Sequence, residues 1–316
     1  MMRTAAIDCG TNSIRLLIAD VADDGASLSD VERQMRVVRL GEGVDATGEL
    51  SEAALGRTFA ALDEYAALIR EHGAQRVRFV ATSATRDARN RDEFIQGVRA
   101  RLGVSPEVIS GEEEAALSFA GAASVLEWDQ DQRVLVVDLG GGSTEFVLGT
   151  AAGVHSAVST DMGCVRFTER YLHGDPPDQE QIAAAEAQVR EFLEEVGGRV
   201  PLAEVQTVVG VAGTITTVTA QALGLQSYDR AAIHGAELDL PCITRAAGDL
   251  LAATREQRTA KGFMHPGRVD VIGAGALIWR TILAQLRVLT DGRVDSAIAS
   301  EHDILDGIAL SAARQS

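Results

Sequence analysis

The sequence predicts an α/β protein made of two copies of one unit. Three observations predict it: an internal repeat, a second repeat at matched spacing, and an alternation of strand-like and helix-like segments. Ile7-Asp8-Cys9-Gly10-Thr11-Asn12-Ser13-Ile14-Arg15-Leu16-Leu17-Ile18 aligns without gaps on Val137-Asp138-Leu139-Gly140-Gly141-Gly142-Ser143-Thr144-Glu145-Phe146-Val147-Leu148, an offset of 130. Each copy reads as an apolar strand, a D-x-G turn of small residues, a Ser and a second strand. This is a hairpin with a carboxylate at the end of its incoming strand. Further on, Val80-Ala81-Thr82-Ser83-Ala84-Thr85 matches Val209-Gly210-Val211-Ala212-Gly213-Thr214. Asp8 to Thr85 is 77 residues and Asp138 to Thr214 is 76. Duplication of one unit explains both signals.

The elements follow in order. Strands are predicted at 5–9 and 14–20. Ser51-Glu52 opens a helix to about His72, closed by Gly73, with Leu55, Phe59, Leu62, Ala66 and Ile69 on its apolar face. A strand at 77–82 precedes the matched loop. Ser110 and Glu113 have the spacing of a capping box. Glu127-Trp128-Asp129-Gln130-Asp131-Gln132 is a polar break, and the domain boundary is placed there, giving 1–126 and 127–301. The second unit reads as strands 134–138 and 145–149, a helix from Asp178 (with Gln181 three later) to Gly197-Gly198, and a strand at 206–211. A last helix, about 302–316, is expected to pack back on the first domain.

Composition narrows the function classes. With 316 residues, 46% hydrophobic and 24% charged, the chain is globular and long enough for two domains. Aromatics are only 4%, so the cores must come from Val, Leu, Ile and Ala. Cys9, Cys164 and Cys242 are odd in number and scattered, which suits a reducing cytoplasm and small buried hydrophobes. The histidines are dispersed, with no zinc-type spacing. A net charge of −17 argues against nucleic acid and anionic membranes as partners. A polyanionic substrate would then need its arginines gathered at one place, and Arg33, Arg36, Arg39, Arg86, Arg89 and Arg91 cluster along the first half. The uncharged stretch Val205 to Tyr228 has the length of a membrane span. Its five threonines and its strand-like front half make it a buried strand-turn-helix instead. Met1-Met2-Arg3-Thr4 leads straight into a strand with no apolar leader, so a cytoplasmic location is expected.

The turns carry the chemistry. Small residues let successive backbone N–H groups face an anion without obstruction by Cβ. Gly140-Gly141-Gly142-Ser143-Thr144 offers amides and two hydroxyls, and Gly10-Thr11-Asn12-Ser13 offers the same with polar side chains. Asp8 and Asp138 beside bound phosphates make sense with a divalent cation between, since Mg²⁺ takes one or two carboxylates plus phosphate oxygens. Gly213-Thr214, leading into a helix, can add N-terminal amides to the same anion. Arg86 is a candidate phosphate-binding guanidinium. In Ser110-Gly111-Glu112-Glu113-Glu114-Ala115, helix capping accounts for Ser110 and Glu113 but does not require Glu114. That carboxylate is a candidate general base on water.

Taken together, DCGTNSIRLLIAD (8–20), RLGEGVDATGELS (39–51), ATSATRDA (81–88), ISGEEEA (109–115), VVDLGGGSTEFVLG (136–149), DMGCVRF (161–167), GVAGT (210–214) and GRVDVIGAGALI (267–278) resemble the exopolyphosphatases and guanosine pentaphosphate phosphatases. The resemblance runs from about residue 4 to the C-terminal helix, and it is to the short two-domain form. It implies two ribonuclease-H-like (actin-like ATPase) domains with the active site in the cleft between them, and a homodimer. It implies removal of terminal phosphate from inorganic polyphosphate, or of the 5′ γ-phosphate from guanosine pentaphosphate, with Mg²⁺ or another divalent cation. By the same resemblance Glu114 activates water, Arg86 binds substrate phosphate, and Asp138 and Glu145 are metal-linked or water-orienting acids. The last helix departs from the family's L-R-E-G: here Ile304 precedes Leu305-Asp306-Gly307 and the Arg is absent. The expected function is an exopolyphosphatase, with a guanosine pentaphosphate phosphohydrolase as the alternative. An ATP-using kinase of the same superfamily and a non-catalytic alarmone sensor are the more distant rivals.

Overall fold

The computed structural model describes residues 1–22, 28–123, 129 and 131–314. The chain divides into two compact units, 1–125 with 302–316, and 126–301. Residues 127, 128 and 130 of the polar break at 127–132 lie outside the described residues, as do the last two residues of the expected C-terminal helix.

In the first unit, β1 (Met2–Cys9), β2 (Ser13–Val21) and β3 (Leu28–Val37) form an antiparallel meander. After α1 (Val44–Thr47) and α2 (Glu52–Glu71), β4 (Arg76–Ala81) returns parallel to β1. Then come α3 (Ser83–Asp87), α4 (Arg91–Leu102), β5 (Glu107–Val108) and α5 (Gly111–Ala123). The five strands lie in the order β3-β2-β1-β4-β5. Strand periodicity divides the side chains cleanly between the two faces. Ala5, Ile7, Cys9, Ile14, Leu16, Phe79 and Ala81 pack with Leu55, Leu62 and Tyr65 of α2 and Phe94 and Val98 of α4. The alternate residues Ala6, Leu17, Ala19 and Val80 pack with Leu117 of α5 and with Ile304, Leu305, Ile308 and Ala309. Those last four belong to the C-terminal helix α13 (Ile304–Arg314), which covers this sheet although it is the last element of the chain.

The second unit repeats the pattern. β6 (Val134–Leu139), β7 (Thr144–Thr150) and β8 (Gly153–Thr160) form the meander. They are followed by α6 (Cys164–Tyr171), α7 (Gln179–Gly197) and β9 (Thr207–Val211), which is parallel to β6. Next are α8 (Ala212–Ala222), α9 (Arg230–Ile233), β10 (Glu237–Asp239), α10 (Leu240–Ala252), α11 (Arg255–Thr259), α12 (Ile272–Leu289) and β11 (Ser296–Ala299). The order β10-β11-β9-β6-β7-β8 is that of the first sheet with one edge strand added. Both sheets are mixed, with the strand order and antiparallel second strand of a ribonuclease-H-like unit. The stretch 205–228 is the expected buried strand-turn-helix, β9 and α8. The helix that is long and apolar enough to cross a membrane is a different one, α12. Of its 18 residues 67% are buried, with Trp279 at the core of the unit.

Two local expectations give way to tertiary contacts. Ser110 does accept the Glu113 amide at 3.2 Å, but the Glu113 carboxylate turns to Arg78 at 2.9 Å. Asp178 likewise accepts the Gln181 amide at 2.9 Å, while the Gln181 side chain accepts from the Gly174 amide at 3.0 Å. Both helices keep the N-cap and lose the reciprocal half of the box. The cysteines are free thiols, with Cys9 and Cys164 buried and Cys242 partly exposed.

Candidate active site

In the first unit the hairpin turn 10–13 is closed by the Gly10 amide donating to the Ser13 carbonyl at 3.0 Å. It is held from behind by the segment leaving β3. Val38 and Arg39 donate to the Asn12 carbonyl, and Gly41 donates to the Thr11 carbonyl at 2.9 Å. Gly41 is required there, since a Cβ would run into the Thr11 side chain. With these carbonyls turned to the protein, the amides of Thr11 and Asn12 have no acceptor among the described residues, and adjacent N–H groups of this kind suit an anion. Thr11 Oγ1 and Ser83 Oγ are 2.9 Å apart, which ties the turn to the head of α3. Two buried oxygens near this turn, Asn12 Oδ1 and Thr85 Oγ1, have no hydrogen-bond partner. Such groups cost about 1–3 kcal/mol each when left without a partner.

The same corner receives the arginine and the glutamate. Thr82 donates to the Cys9 carbonyl at 3.2 Å, and the Arg86 amide donates to the Thr82 carbonyl at 3.0 Å. The Arg86 side chain donates through Nη1 to the Ile109 carbonyl at 2.9 Å and to Glu114 Oε2 at 3.3 Å. Its remaining N–H groups have no acceptor among the described residues. Glu114, 8% exposed, sits in the first turn of α5. The unit thus gathers Thr11, Asn12, Arg86 and Glu114 at one end of its sheet. Ser13 starts β2 and serves the turn through its carbonyl.

Asp8 is placed differently from a simple metal ligand. It stands opposite Arg15 across β1 and β2. Arg15 donates to its Oδ2 from Nε at 2.9 Å and from Nη2 at 2.5 Å. Burial raises the Asp8 pKa above the usual carboxylate value, with Arg15 pulling the other way. Its counter-charge is supplied within the protein.

The second unit builds its turn the same way. Gly140 donates to the Ser143 carbonyl at 3.0 Å, and the segment after β8 holds the turn from behind. Cys164 donates to the Gly140 carbonyl at 3.0 Å and Val165 to that of Gly141 at 2.8 Å. Arg166 Nε donates to the Gly142 carbonyl at 2.9 Å. A Cβ at Gly163 would run into the Gly141 carbonyl. The amides of Gly141 and Gly142 are therefore the counterparts of those of Thr11 and Asn12, and Ser143 follows them. Thr144 is turned inward: fully buried, it donates to the Met162 carbonyl.

Asp138 and Glu145 are directly opposite each other on β6 and β7. They share a face, and both are buried. Ser159 of β8 donates to Glu145 at 2.6 Å. Where the first copy sets Arg15 against its aspartate, the second sets a carboxylate. Two buried carboxylates on one face are hard oxygen donors that fit a divalent cation such as Mg²⁺. Among the described residues no group of three or more His, Cys, Asp or Glu side chains is arranged as a metal cluster.

At the head of α8, Ala212 takes a positive φ of 72°. Arg268 lies over Gly213, donating to its carbonyl at 3.1 Å, and a Cβ on Gly213 would overlap the guanidinium. Thr214 is buried against Gly275, whose Cβ would come within 2.6 Å of it. Burial pushes the Cys164 thiol up to about 11, with the Thr214 hydroxyl and Arg268 opposing. That thiol is not a nucleophile at neutral pH.

A family model for the Ppx/GppA phosphatase family matches residues 17–312. The chain belongs to that family. Exopolyphosphatase 2 of Mycobacterium tuberculosis is 50% identical over 320 residues, covering 99% of each sequence. The crystal structure of an exopolyphosphatase-like protein is 46% identical with a TM-score of 0.94, covering 98% of this chain and 97% of that one. The Ppx/GppA family member of Aquifex aeolicus is 33% identical with a TM-score of 0.78, at 98% and 97% coverage.

Several residues at these Ppx/GppA turns escaped the sequence reading. Arg166 and Arg268 stand in D-M-G-C-V-R-F and G-R-V-D, but no local spacing connects either to a turn more than twenty residues away. Arg15 left a signal, because the gapless repeat sets it against Glu145, a reversal of charge at an otherwise matched position. Three of the clustered arginines are engaged in ion pairs apart from Arg86 and Glu114. Arg33 binds Asp30 and Asp306, Arg36 binds Glu64, and Arg89 binds Glu49.

Proposed function

We infer that the chain is an exopolyphosphatase, releasing orthophosphate from the end of inorganic polyphosphate by attack of water. The observation that carries this reading is Glu114, a buried carboxylate held against Arg86 beside a turn with open amides. A base set among phosphate-binding groups is what hydrolysis requires. A kinase would turn such a base on the hydroxyl of a bound second substrate, and the choice of water as acceptor is supported by the likeness to phosphatases. The 50% identity with an exopolyphosphatase supports the same substrate class, since it extends over the whole chain.

Each unit contributes chemistry of its own. The Thr11 and Asn12 amides and the open N–H groups of Arg86 hold phosphate oxygens, and Glu114 accepts a proton from the attacking water. The Gly141 and Gly142 amides, Ser143 and Arg268 hold further phosphate oxygens. Asp138 and Glu145 would hold the cation, whose chemistry when bound would be to draw negative charge off the phosphates. Asp8 stays with Arg15 and steadies the first turn. Positioning and charge neutralisation supply most of the rate in such reactions.

Orthophosphate release from polyphosphate of defined length and from guanosine pentaphosphate, assayed side by side, tests the substrate. Expected is a kcat/KM for polyphosphate at least about tenfold higher, the value of one further well-placed charged contact. A preference of that size for guanosine pentaphosphate would establish the alternative.

A further inference from the structure

Asp8 lies on the face of the first sheet that α5 and α13 cover. Ala6, two residues earlier on β1, packs with Leu117 of α5 and Ile304, Leu305, Ile308 and Ala309 of α13, and residues i and i+2 of a strand share a face. The same Arg15 that grips Asp8 donates from Nη1 to Asp303. Asp303 immediately precedes α13, is 5% exposed, and accepts the Leu305 amide at 3.0 Å. One guanidinium thus spans two buried carboxylates, one at the base of the phosphate turn and one at the head of the C-terminal helix. A planar fork can serve both at once, whereas an ammonium group would serve one. The second unit has no counterpart, because Glu145 occupies the place of Arg15.

The same helix reaches the base. A Cβ at Gly307 of α13 would run into the Leu117 carbonyl of α5, and one at Gly121 of α5 into the Asp303 carbonyl. The two helices therefore meet backbone to backbone. Arg78 of β4 ties them again, donating to Glu113 at 2.9 Å and to Ser311 at 2.6 Å. Glu113 adjoins Glu114.

We propose that Asp303 is a positioning residue for hydrolysis: through Arg15 it fixes Asp8 at the base of the first turn, while the helix it heads keeps α5 and Glu114 in register with that turn. This rests on the assignment of Glu114 and the first turn to the reaction.

Asp303→Asn keeps the shape and the acceptor for Leu305 and removes the charge that holds Arg15. Polyphosphatase kcat is expected to fall at least about tenfold with KM changed less than about threefold, because ground-state binding of the chain is untouched. Asp8→Asn should cost about as much alone and less than about threefold when added to Asp303→Asn, the non-additivity of one coupled unit. A kcat within about twofold of wild type, or single losses that multiply in full, would overturn the proposal whatever happens to the melting temperature. If Asp303→Asn does not fold, Arg15→Lys takes its place with the same expectations. Glu114→Gln is measured alongside. An active Glu114→Gln removes the assignment on which the proposal rests, and an inactive one beside a fully active Asp303→Asn removes this proposal alone.

Discussion

His265 shows how one side chain can tune Arg268, the arginine proposed to hold phosphate in the second unit. Its Nδ1 accepts the Gly267 amide at 3.1 Å, which requires that nitrogen to be unprotonated. Partial burial and then the neighbouring Arg268 hold its pKa below 6.5. The unfolded chain therefore binds the proton more readily than the folded one. Stability is full above the ordinary histidine range and is lost as the pH falls below 6.5 toward the depressed folded value. The melting temperature should drop between about pH 7 and 5.5, and KM for polyphosphate should rise with it, as the Gly267 bond breaks beside Arg268. His265→Asn, which keeps an acceptor that does not titrate, should flatten both profiles. At this scale the sequence was partly legible. The two turns at 10–13 and 140–143 followed from the repeat, since a turn of small residues has local causes. Arg166 and Arg268 did not, because they reach their turns by tertiary packing. Thr144 was misread for the same reason: its hydroxyl is used by the Met162 carbonyl.

At the scale of elements, each small-residue turn is a layered device. The segment leaving the third strand of each meander donates to the turn carbonyls, 38–41 in one copy and 164–166 in the other, and this leaves the amides facing outward. The motifs RLGEG and DMGCVRF were recognised without this role, because the hydrogen bonds run between segments distant in sequence. Gly213→Ala should displace the Arg268 guanidinium, raising KM for polyphosphate about fivefold to fiftyfold while the fold survives, the size of one charge-assisted contact at about 1–2.3 kcal/mol. Steady-state kinetics with a thermal melt checks it. Gly307→Ala should act on stability instead. Its methyl meets the Leu117 backbone, so a loss of about 1–3 kcal/mol is expected in denaturant unfolding. The two capping boxes were legible only in half. Ser110 and Asp178 act locally as N-caps, whereas Glu113 and Gln181 found stronger partners in Arg78 and Gly174.

For the whole molecule, duplication was the most legible property, because it is written in the order and spacing of motifs rather than in any contact. The second sheet reproduces the first strand for strand, with β10 added at the edge. Divergence between the copies is where function was placed. Arg15 opposite Asp8 supplies a counter-charge, and Glu145 opposite Asp138 gives two facing carboxylates, the pair proposed to hold a cation. Asp138→Asn should therefore raise the concentration of Mg²⁺ or Mn²⁺ needed for half-maximal activity at least about tenfold, and should weaken Mn²⁺ binding seen by calorimetry, while Asp8→Asn should leave Mn²⁺ binding within about twofold. With a net charge of −17, the chain meets a polyanion through a few arginines fixed by local geometry, not through a broad positive field. Hydrolysis, the central claim, was the least legible part, since spacing alone left Glu114 as one acid among three at a helix start. The direct test is turnover of polyphosphate in ¹⁸O-labelled water by the wild-type protein and by Glu114→Gln. Expected is one labelled oxygen in each released orthophosphate, with a rate at least about a hundredfold lower for a folded Glu114→Gln protein that still binds the chain. Near-wild-type turnover by that variant, or orthophosphate without label, would contradict it.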